Sequence, residues 1–174
     1  MAESVRPGDG DQSLGRTPSE VVTALAAAGL ELPAVNPPLA AYVPAVRVGD
    51  LVHVAGQLPM RDGALAVTGV VGAGGLSAPQ GKSAAALCAL AAIAAGVGQV
   101  GPGEVVRAVK VNVFVAVQES FADVPEVANG ASEVFGAAFG LPHARSAVGV
   151  RALPRGAAVE VDAVLAVAPS GRRA

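Results

Sequence analysis

The chain has 174 residues, 52% of them apolar and 3% aromatic, with a formal net charge of −2. That length suits one domain with a full core, while the lack of any basic block and the scarcity of aromatic rings argue against nucleic acid as a main partner. The single cysteine, Cys88, excludes an internal disulfide and fits a reducing compartment; the polar start MAESVRPGDG has no apolar signal core, so the cytoplasm is the expected location.

Residues 1–16 are rich in Gly, Asp and Ser and read as a disordered tail. Order is expected from Thr17, an N-cap with Pro18 at the first helical position and Glu20 closing a capping box. Gly29 is the natural stop. Three prolines in PAVNPP then demand an extended linker. YVPAVRVGDLVHVAGQLP reads as a hairpin turning at Gly49–Asp50. A short strand is expected near Leu65–Val67.

TGVVGAGG follows, without the Lys-Ser/Thr ending of a phosphate loop. A long helix is expected from Ser77 to Val97; its run SAAALCALAAIAAGVGQV is only moderately apolar and ends in glycines, so it reads as a buried helix and not a membrane span. Val105 to Val117 alternates as a strand, with Val105, Val109, Val111, Val113, Val115 and Val117 on one face. A second long helix spans Asp123 to Phe139, with Pro125 tolerable near its start. The remainder, Leu141 to Val167, reads as a hairpin turned at LPRGA.

This order predicts an α+β domain with helices on one face of a mostly antiparallel sheet. The plan is a tail over 1–16, a helix and linker over 17–41, the domain over 42–168 and a tail over 169–174. Two helices cover only one sheet face. The other keeps several valines, so self-association is expected to bury it.

The last strands carry Arg145, Glu160 and Asp162 within apolar runs. A charge there needs a partner or a wet face. Arg145 either pairs with Glu160 or Asp162, or grips a ligand carboxylate with its planar fork. The other candidates are structural. Cys88 sits in an apolar helix and reads as core. His53 and His143 are far apart, with no further ligand at metal spacing, so no metal is expected. No serine sits in a nucleophile elbow.

ARSAVGVRALPRGAAVEVDA, together with NVFV, VAGQLP and the Tyr42 segment, resembles the RidA (YjgF-type) reactive-intermediate deaminase family, also labelled endoribonuclease L-PSP. The resemblance covers roughly Tyr42 to Val167 and leaves the first helix outside, as in a longer bacterial subgroup. It implies a chorismate-mutase-like α+β fold, a homotrimer with ligand sites between subunits, and no metal or organic cofactor. It also implies hydrolysis of enamines and imines such as 2-aminoacrylate and 2-iminobutyrate to 2-keto acids and ammonia.

By the same resemblance Arg145 binds the substrate carboxylate and Glu160 positions or activates the attacking water. Tyr42 lines the pocket, Gly56 lets backbone approach the ligand, Asn129 reaches the site from the second helix, and the backbone at Ala147 contacts ligand. Two positions depart from the pattern: Ala55 stands where many members have Ser or Thr, and Ala147 where many have Cys. Those losses keep open a trimer that only binds a small carboxylate, and the family's older label keeps open a single-stranded endoribonuclease.

Overall fold

A computed structural model describes residues 15–35 and 41–171. The helices start where their caps dictate. Thr17 and Glu20 form the expected capping box of α1 (Pro18–Ala27), and Ser77 and Gln80 form another ahead of α2 (Ala78–Val97). α3 (Val124–Phe139) buries Val127, Ala131, Val134, Phe135 and Ala138, the stripe its spacing predicts. Of the described helices only α2 is long and apolar enough to cross a membrane by length and composition, and it is mostly buried inside the fold.

The strands are β1 (Ala45–Val48), β2 (Leu51–Gln57), β3 (Met60–Arg61), β4 (Ala64–Leu65), β5 (Glu104–Ala116), β6 (Ala144–Val150) and β7 (Val159–Pro169). β1 and β2 form the expected hairpin, with Gly49 at positive φ in the turn. β3 and β4 make a separate two-stranded ribbon, and the other five form one sheet in the order β1-β2-β7-β5-β6. α2 and α3 pack together on one face of that sheet, and α1 packs on α3. Between them lies a core of Val, Ala and Leu with Ile93, Phe135 and Phe139.

Three expectations are corrected. β6 and β7 are not a hairpin: β6 runs parallel to β5, and β7 lies antiparallel between β2 and β5. The reason is burial. β7 presents Val159, Val161, Ala163, Leu165 and Val167 to the core and needs a central place. β6 returns from the α3 crossover as a shorter, wetter edge strand.

β5 does not keep one face throughout. Its pairing with β7 shifts between Ala108 and Lys110, so Val106 and Ala108 are buried with Val111, Val113 and Val115, while Val109 is 40% exposed. The domain edges also move outwards. The tail over 1–14 lies outside the described residues, but Arg16 pairs its backbone with Val106 and donates from Nη1 to Ala137 O (2.7 Å) and Ala138 O (2.8 Å) at the end of α3. At the other end β7 continues through Pro169.

Candidate functional site

Arg145 pairs with Val111, a core residue, so its side chain leaves β6 on the helix-covered face. There Nη1 donates to Asn129 Oδ1 (2.9 Å) and Ser132 Oγ (3.0 Å). Asn129 and Ser132 are three apart and share one face of α3. Asn129 Nδ2 in turn donates to Glu126 Oε2 (2.8 Å), and Glu126 is paired with Lys82 (3.1 Å). The guanidinium is thus held by one nitrogen, and among the described residues no carboxylate pairs with it. Ala147, two residues on, packs against the core and offers only backbone to a ligand.

Glu160 lies elsewhere. It pairs with Phe114, and Asp162 pairs with Asn112, on the sheet face away from the helices. Both carboxylates share that face, as their spacing predicts. Asp162 Oδ1 is already engaged by Asn112 Nδ2 (2.7 Å). Glu160 packs on the β2 irregularity at Ala55–Gly56: a Cβ on Gly56 would overlap Glu160 Oε1, so the glycine makes the room the carboxylate occupies. Gln57 is buried and locks that bulge by donating from Nε2 to Ala55 O (3.1 Å). Burial, with Asp162 nearby, pushes the Glu160 carboxyl above the usual carboxylate range.

Tyr42 is 42% exposed ahead of β1, near the same bulge, because Ala55 N donates to Pro44 O (2.9 Å). The expected residues therefore form two groups in one chain. Arg145, Asn129 and Ala147 stand by α3; Gly56 and Glu160, with the Tyr42 segment, stand by β2. The alternative of an Arg145 ion pair with Glu160 or Asp162 is absent, because the sheet separates them.

Ser132 and His143 complete the first group and were not singled out as site residues by the sequence. Ser132 Oγ lies 3.2 Å from His143 Nε2. The three-residue step from Asn129 to Ser132 was the available signal. Cys88 is fully buried and donates to Val159 O (3.4 Å); burial first, then the Glu160 charge, raises its thiol well above the ordinary value, which fits a core residue. No three His, Cys, Asp or Glu side chains cluster as metal ligands among the described residues.

The sequence model of the endoribonuclease L-PSP family matches residues 33–167. The chain belongs to this family. α1 lies before the matched region. "Protein TCP17" of Trypanosoma cruzi is 45% identical over 141 residues, covering 79% of this chain and 88% of that protein. Among solved structures, Atu1372 of Agrobacterium tumefaciens, described as of unknown function, has a TM-score of 0.74 at 35% identity, over 87% of this chain and 94% of its own. RidA from the Antarctic bacterium Psychrobacter has a TM-score of 0.53 at 27% identity, over 76% of this chain and 93% of its own. The α+β fold with a mostly antiparallel sheet is that of the YjgF/RidA proteins.

Proposed function

We propose that this protein is a hydrolytic deaminase of small 2-imino and 2-enamino acids, acting as a cytoplasmic homotrimer with its sites between neighbouring copies. The observation that carries the reading is the Arg145 guanidinium: anchored at Nη1 by Asn129 and Ser132, it has Nε and Nη2 without a protein partner among the described residues. A planar, pre-oriented pair of donors is the complement of a carboxylate.

A water attacks the C=N carbon of the bound imine while Glu160 takes its proton, and the nitrogen gains a proton. The carbinolamine then collapses: its C–N bond breaks, ammonia leaves and the 2-keto acid remains. An enamine substrate first gains a proton on carbon to become the imine. Fixed charges in a partly dry cleft supply the stabilisation, and no cofactor or metal is required.

One chain holds Arg145 and Glu160 on opposite sheet faces, so a site using both must draw them from two copies. The open face supports association: Val46, Val48, Leu51, Val109 and Val148 are all at least 40% exposed.

A second reading, a trimer that binds a keto acid without turnover, is favoured by Ala147 and Ala55, which supply no polar side chain. A coupled assay separates the two. Another enzyme generates 2-iminobutyrate, and its loss is followed with wild type and Arg145→Ala. The deaminase reading expects acceleration that falls roughly 30-fold or more in the variant, the equivalent of about 2 kcal/mol. An Arg145→Ala rate equal to wild type contradicts the assigned role. Pyruvate binding with no acceleration favours the binding module.

A further inference from the structure

Ser132 Oγ stands between two groups. A guanidinium can only donate, so the hydroxyl accepts from Arg145 Nη1, and the same oxygen meets His143 Nε2. One atom therefore joins the imidazole to the arginine. The other ring nitrogen, His143 Nδ1, is buried and has no hydrogen-bond partner among the described residues. An orphaned buried polar atom is rare in a folded protein and calls for an explanation other than stability. The ring tilts against Phe135 at 5.7 Å and 51°. Ser132 and His143, with Gly136, Leu141 and Pro142, wall an open cleft of about 530 Å³ beside Arg145.

We propose that His143, acting through Ser132, is a positioning residue for the Arg145 guanidinium and takes up a proton when a carboxylate binds there. The inference rests on the reading of Arg145 as the carboxylate grip.

In the free chain the imidazolium is disfavoured first by burial and then by the Arg145 charge. The other charges brought to this end of the fold do not relieve it. Arg16 reaches the α3 carbonyls at Ala137 and Ala138, and Arg107 donates to Pro142 O (3.3 Å), so both add positive charge. Glu133, beside Ser132, is paired with Lys82 (2.7 Å), and Glu126 with Lys82 and Asn129. No carboxylate pairs with His143 among the described residues.

A carboxylate on Arg145 offsets the repelling charge. His143 can then hold protons on both nitrogens, with Ser132 Oγ accepting from Nε2 and from Arg145. The bound state carries more protons than the free state between the two His143 midpoints, so anion affinity rises as pH falls through that window. The coupling is reciprocal.

The test uses the full-length protein, pyruvate as probe and NMR titration of His143. Pyruvate is expected to raise the His143 midpoint. Its affinity is expected to be about threefold or more tighter at pH 5 than at pH 7.5. His143→Gln, which can still hydrogen-bond Ser132, should lose that pH dependence, and Ser132→Ala should weaken binding. Pyruvate bound with an unmoved His143 midpoint, or unweakened by Ser132→Ala, overturns the inference and leaves the Arg145 reading standing. No pyruvate binding to wild type overturns both.

Discussion

Glu160 owes its position to a missing side chain. Its carboxylate occupies the space where Gly56 would carry a Cβ, and the clash would fall on the end of a flexible side chain, so the backbone need not move. Gly56→Ala should therefore fold with little change in Tm, while Glu160 swings out of place and imine hydrolysis falls on the order of 10²-fold. Circular dichroism melts and the coupled assay check both parts, and an unchanged kcat would refute the placement of Glu160. Arg145, Glu160 and Gly56 could be singled out because they stand in the stretches that carry the family resemblance. Ser132 and His143 could not. Each is an ordinary residue locally, and only the packing of α3 against the start of β6 gives them a common neighbour.

Element placement was legible wherever the cause is local. The caps at Thr17 and Ser77, the hairpin turn at Gly49 and the apolar stripe of α3 are written within a few residues of where they act. The β6–β7 pairing was misread because only a long-range fact, the insertion of β5, separates two strands that look like partners. The bulge at Val109 was missed because valine alternation runs straight through it.

The α2–α3 crossing is the element on which the arginine site depends. A Cβ at Gly130 would overlap the Lys82 backbone carbonyl oxygen, which no rotamer change relieves. Gly130→Ala should cost about 1–3 kcal/mol in urea unfolding and weaken keto-acid binding, because Asn129 and Ser132 ride on the same helix. Gly136→Ala, where a Cβ meets nothing among the described residues, should be neutral or stabilise by about 0.5–1 kcal/mol. Equal stability of the two variants would contradict the close crossing.

At the scale of the whole molecule, the sheet divides the proposed machinery. The helix-covered side carries the carboxylate grip, and the open side carries the base on an apolar face exposing Val46, Val48 and Val148. An uncovered face of this kind favours symmetric self-association. Its existence was legible from two helices facing a valine-rich sheet. That it separates Arg145 from Glu160 was not, since the sequence sets both on neighbouring apolar strands.

The most direct test of a shared site is complementation. Arg145→Ala and Glu160→Gln chains, each expected to lose most of its activity alone, are unfolded together in equal amounts, refolded into mixed oligomers and assayed for 2-iminobutyrate hydrolysis. If each site takes its arginine from one copy and its glutamate from the next, random mixing leaves roughly a quarter of the sites intact, with activity to match. Mixed oligomers no more active than either parent would contradict a site built between copies.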